Sequence, residues 1–173
     1  WAPITTTGAP VFQGTSQISA VWTGTKLLVH GNVHDQSTAN EIFSGGCYDP
    51  TGAGTWTPIT TTGAPVFSNF TNTSPASFWT GSKMVAYGPI GNAPTTVGGG
   101  VYDPVSNSWT TIPSLGAPVF SDLGINNAPT ALWTGSKMIV SGPLENLIPG
   151  NTSLGGGIYD PSAPSAGAWN KIT

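Results

Sequence analysis

Arginine is missing from these 173 residues, and lysine occurs only four times. Seven acidic residues bring the net charge to −3, and charged side chains make up 6% of the chain, against roughly 25% in an average soluble domain. Nucleic-acid binding rests on clustered Lys and Arg, so no nucleic-acid partner is expected, nor is an anionic membrane surface. The apolar runs reach about five residues, far short of a membrane span, so no membrane insertion is expected. A single cysteine, Cys47, rules out an internal disulfide framework. Short-spaced carboxylate pairs, Gly-x-Ser-x-Gly and phosphate-cradling loops are all lacking, so no catalytic residue and no cofactor is expected. No leader is visible, and the sequence opens on Trp1 rather than Met. It reads as a processed product or an excerpt of something longer.

What is present is glycine (24), proline (16) and many Thr and Ser, with seven Trp, six Phe and four Tyr. The aromatic residues argue for a packed interior rather than disorder, and many turns with short apolar runs argue for an all-β fold. The chain also repeats itself. Trp-Thr-Gly recurs at Trp22, Trp79 and Trp133, Tyr-Asp-Pro at Tyr48, Tyr102 and Tyr159, and GAPVF at Gly8, Gly63 and Gly116. A long regular period is the signature of a repeat architecture.

Within each period four strand-like runs are bounded by turn residues. In the first they are residues 18–22, 26–30, 45–49 and 55–60, with a long polar loop expected over 31–44. Four short strands per repeat make a propeller blade. The boundaries that follow are 8–60, 61–113 and 114–173 for three blades, with residues 1–7 as the last strand of a preceding blade. WAPITTT at 1–7 nearly copies WTPITTT at 56–62. Lys26, Lys83 and Lys137 fall opposite Asp49, Asp103 and Asp160, so three cross-strand ion pairs are expected. The three Trp of Trp-Thr-Gly and the three Tyr of Tyr-Asp-Pro should be buried between blades, and Cys47, aligned with Val101 and Ile158, should act as a small buried hydrophobe.

The pattern WTGSKMxxxG at Trp133–Gly142 and GGxYDPxxNSW at Gly99–Trp109 resembles the bacterial form of the kelch repeat, and the likeness covers essentially the whole chain. It implies a kelch-type β-propeller segment of three four-stranded blades plus one extra N-terminal strand. Three blades do not close a ring, so a larger propeller, six-bladed or longer, or an assembly of copies is expected. The sequence departs from the family pattern at Asn32, Pro89 and Pro143, where a second glycine is usual. Some propellers of this kind are copper oxidases with a Cys–Tyr cross-link. Cys47 and Tyr48 are adjacent in one strand and point to opposite faces, so oxidase chemistry is the least favoured reading.

Differences among the repeats point to function. Strand direction puts the short turns on one face and the long second-to-third and fourth-to-first loops on the other. Asp35, Glu41, Asp122 and Glu145 all fall in the long loops, which makes that face acidic and a candidate ligand-binding surface. His30 and His34, with Asp35 and Glu41 nearby, form a candidate metal cluster. Sequons at Asn69, Asn72 and Asn151 are candidate glycosylation sites, and with the scarcity of charge they suggest an extracellular or cell-surface protein. The expected function is a binding or structural module for a glycan or protein partner. The alternative is a subunit that assembles with further copies of itself into a filament or coat.

Overall fold

A computed structural model describes residues 3–12, 17–35, 37, 40–68, 74–90, 96–120, 129–144, 153–164 and 168–172. They form twelve strands in three four-stranded antiparallel sheets. Blade 1 holds β1 (Ile18–Trp22), β2 (Leu27–Asp35), β3 (Asn40–Asp49) and β4 (Thr55–Pro58). Blade 2 holds β5 (Ala76–Trp79), β6 (Met84–Pro89), β7 (Val97–Asp103) and β8 (Ser108–Thr111). Blade 3 holds β9 (Thr130–Trp133), β10 (Met138–Leu144), β11 (Ser153–Tyr159) and β12 (Trp169–Ile172). Each sheet runs in sequence order, and the first strands β1, β5 and β9 lie next to one another. This is a propeller segment with the first strands innermost. The Gly-rich third strands sit further out. No helix among the described residues is long and apolar enough to cross a membrane.

The Trp-Thr-Gly turn shows why these residues recur. Thr23, Thr80 and Thr134 each donate their backbone N–H to the carbonyl of the lysine three residues on, at 2.9 Å. Each threonine hydroxyl accepts that lysine's N–H at 2.9–3.0 Å. The glycines sit at φ of +103°, +101° and +102°, with nothing within 4 Å of where a Cβ would stand. Backbone conformation, not space, demands glycine there. The expected ion pairs form: Lys26–Asp49 at 3.2 Å, Lys83–Asp103 at 3.3 Å and Lys137–Asp160 at 3.2 Å.

GAPVF is a linker device. Gly8, Gly63 and Gly116 take positive φ in turns closed by Ala9, Ala64 and Ala117 N–H groups on carbonyls three residues earlier, the place where a type II turn requires glycine. The following prolines, Pro10, Pro65 and Pro118, then lie over Gly46, Gly100 and Gly157, together with the rings of Trp56, Trp109 and Trp169. Each of these indoles donates its N–H back to the linker, to the carbonyls of Thr5, Thr60 and Pro113 at 2.7–3.0 Å. Residues 3–6, read as part of a leading strand, take no ladder partner among the described residues. They present Thr5 to Trp56 as the later linkers present Thr60 and Pro113.

Two expectations need correction. The polar stretch 31–44 is largely a ladder, because β2 and β3 stay paired out to Asp35 and Asn40. The hairpin extends past the end of β1, and its buried residues there are the facing pair Asn32 and Phe43, too few to read as an apolar strand pattern. Trp22 is 52% exposed, whereas its counterparts Trp79 and Trp133 pack into the junctions between blades. The cause is position: this Trp is on the face that meets a preceding blade in the later repeats, and no described blade lies on that side of blade 1. Tyr48 is half-buried for the same reason, while Tyr102 and Tyr159 are buried at 3% and 5% exposure.

Candidate binding site between the second and third blades

The apolar core is divided between two junctions. The first joins Leu28 and Phe43 to Met84 and Tyr102. The second joins Val85 and Tyr87 to Met138, Tyr159 and Trp169. His30 and Tyr87 occupy the same place in their blades, each against the fourth-strand Trp of the next: His30 with Trp109 at 6.4 Å, Tyr87 with Trp169 at 5.6 Å between centroids.

The residue beside them decides whether space is left. At the first junction Phe43 stacks on His30 (6.0 Å, 12°) and meets the Trp109 ring edge-on at 5.5 Å. At the second junction the corresponding residue is Val97. A cavity of about 660 Å³ lies there, lined by Tyr87, Ile90, Thr96, Val97, Ile112 and Trp169, with linker residues from both sides. Among the described residues its lining includes no Lys, Asp, Glu or His. The Tyr87 hydroxyl is buried without a hydrogen-bond partner among the described residues, and burial raises its pKa far above the ordinary phenol value, so the group remains a neutral donor. The cavity lies beside the β6–β7 hairpin end and the linkers, on the long-loop side.

No family model matches this chain, and no curated protein does.

The residues singled out from sequence are distributed otherwise. Asp122, Glu145, Asn69, Asn72 and Asn151 lie outside the described residues. Asp35 and Glu41 stand near the tip of the β2–β3 hairpin, where Asp35 pairs with Asn40 and His34 with Glu41 in register. Only the backbone of His34, Asp35 and Glu41 is described. His30 and His34 are four residues apart on one continuous strand, about 13 Å along it, so the strand does not bring the two histidines to one ion. Among the described residues no group of three or more His, Cys, Asp or Glu could hold a metal.

His30 is fully buried, with Nε2 2.6 Å from the Ser77 hydroxyl, among the rings of Phe43, Phe67 and Trp109. Desolvation lowers its pKa to about 4. Cys47 is half-buried and packs against the first junction; burial raises its thiol pKa. Asp49 and Asp160 are held near pKa 2, first by the side-chain and backbone donors of Thr51 and Ser162, then by their lysines. Asp103 is lowered chiefly by the Val105 N–H.

The sequence pattern singles out none of Tyr87, Val97 and Trp169. A signal is nonetheless present: the repeats differ at His30/Tyr87/Ser141 and at Phe43/Val97/Leu154, two positions on one face of adjacent strands.

Proposed function

We infer that this chain is a kelch-type propeller segment acting outside the cell or at its surface as a binding module, and that it is not an enzyme. The observation that carries this reading is the cavity between blades 2 and 3, whose described lining carries no charged side chain. A largely apolar pocket with a few polar groups is the ordinary form of a recognition site. Away from the cavity, three lysines form ion pairs with three aspartates at the short turns, and His30 is neutral in the core of the first junction.

The lining also indicates the kind of partner. Among the described residues the cavity's polar groups are Thr and Ser hydroxyls, the Tyr87 phenol and backbone, without the carboxylate, amide or guanidinium side chains that can make paired hydrogen bonds to a sugar. An apolar side chain of a protein partner, anchored beside Tyr87 and Trp169, suits it better. The sequons and the scarcity of charge support the placement outside the cell.

Val97→Phe tests the site by installing the residue that closes the first junction. Partners captured by the native chain from the extracellular fraction, then identified and titrated singly, should bind Val97→Phe at least tenfold more weakly, while its thermal stability is unchanged or raised. Equal binding by Val97→Phe would remove the cavity from the account. Saturable binding on a glycan array, abolished by Val97→Phe, would replace the protein partner with a sugar.

A further inference from the structure

The buried tyrosine of the second junction differs from the histidine of the first in its polar neighbours. His30 meets one across the junction, the Ser77 hydroxyl, 2.6 Å from Nε2. Repeat register puts Ala131 where Ser77 stands, and Ala131 packs against the same core as Tyr87 with no polar side-chain atom to offer. Tyr87 is 2% exposed, and its hydroxyl has no hydrogen-bond partner among the described residues. Folded proteins leave few such groups unmet, and a catalytic or binding role is one of the reasons they do. His30 Nδ1 is also unpartnered, but the rings of Phe43, Phe67 and Trp109 lie around it. Tyr87 instead lines a cavity of about 660 Å³.

Two departures from the first junction therefore coincide. Val97 in place of Phe43 leaves space, and Ala131 in place of Ser77 leaves a donor unmet beside it. The rest of the described lining limits what can enter. Ile90, Val97, Ile112 and Trp169 favour apolar groups, and no described charged side chain is there to pair with an ion, so burying one would be costly. A neutral acceptor stands differently. Its oxygen gives up water on entry and regains a bond from the phenol, which can donate to it.

Resting on the reading of this cavity as a binding site, we propose that Tyr87 determines its specificity. The site takes an uncharged, largely apolar group that carries one hydrogen-bond acceptor, and the Tyr87 hydroxyl donates to that acceptor. A plain hydrocarbon of the same shape fills the space but leaves the hydroxyl unmet, which is how a buried polar group discriminates against an analogue that lacks its partner.

The test uses two probes of nearly one shape, acetophenone and isopropylbenzene, in which a methyl group replaces the carbonyl oxygen. Each is titrated by heteronuclear NMR into the native chain, Tyr87→Phe and Val97→Phe. Tyr87→Phe keeps the ring and removes the hydroxyl. Taking the ratio of the two affinities within each protein cancels the difference in the probes' own hydrophobicity. That ratio should favour acetophenone about fivefold more in the native chain than in Tyr87→Phe. Val97→Phe should weaken both probes together. Without probe, Tyr87→Phe should melt at or above the native temperature, since it removes an unmet donor. Equal ratios in the native chain and Tyr87→Phe, with both probes bound, overturn the role of Tyr87 and leave the cavity as an unselective site. A lower melting temperature for Tyr87→Phe also overturns that role, by showing that the hydroxyl is already engaged in the free protein. Binding of neither probe to the native chain, or undiminished binding of both to Val97→Phe, overturns the role of Tyr87 together with the cavity reading.

Discussion

At the scale of single residues, the positions that break the repeat are the informative ones. Asn32 stands where the other blades carry Pro89 and Pro143. Its side-chain amide donates to the Phe67 carbonyl while its oxygen accepts the Phe67 N–H at 3.2 Å. A side chain thus does the work of a ladder strand, holding the first linker onto blade 1 in a buried place. Asn32→Ala should leave both backbone groups of Phe67 short of a partner on that side, costing about 1–3 kcal/mol in chemical denaturation. An unchanged midpoint would mean that water takes over both bonds. His30 yields a pH prediction. Its folded pKa of about 4 lies below the unfolded 6.5, so between those values the unfolded chain binds the extra proton and stability falls as pH falls. The loss should approach on the order of 3 kcal/mol by pH 4. His30→Tyr, borrowing the residue of blade 2, should flatten that window. If the native chain's thermal midpoint does not fall between pH 6.5 and 4, the histidine is not desolvated as described.

At the scale of elements, two kinds of glycine separate. Gly81 needs its positive φ and has open space around it, whereas Gly100 has an extended backbone and a Trp109 ring atom 2.8 Å from where a Cβ would stand. Gly81→Ala should cost about 1 kcal/mol through backbone strain. Gly100→Ala should cost more, roughly 2–3 kcal/mol, because the indole and Pro65 must shift. Urea titrations of the two variants check the order, and the reverse order would contradict it. The repeat made most of this legible: three copies of Trp-Thr-Gly-x-Lys and Tyr-Asp-Pro fix the strand order, the register and the Lys–Asp pairs without coordinates. The β2–β3 extension was not legible, because past the ends of β1 and β4 the two strands pair only with each other and lose the alternation that identifies a strand. The cavity was hidden for another reason. It depends on Val97 replacing Phe43 across a junction, and side-chain volume at a contact leaves no periodic trace.

At the scale of the whole segment, stability resides between blades rather than within them, since each sheet buries its apolar residues only against the next. Trp79 and Trp22 make this a controlled comparison, being the same residue at the same place in consecutive repeats. Trp79 packs into the first junction, so Trp79→Ala should cost about 3 kcal/mol. For a chain of this length that is roughly 6–12 °C in Tm. Trp22 faces outward, so its removal should cost little. The measurement is Tm for the native chain and both variants. The native chain and Trp22→Ala should melt together, and Trp79→Ala below them. Equal losses for the two variants would show that packing into the junction is not what separates the two tryptophans.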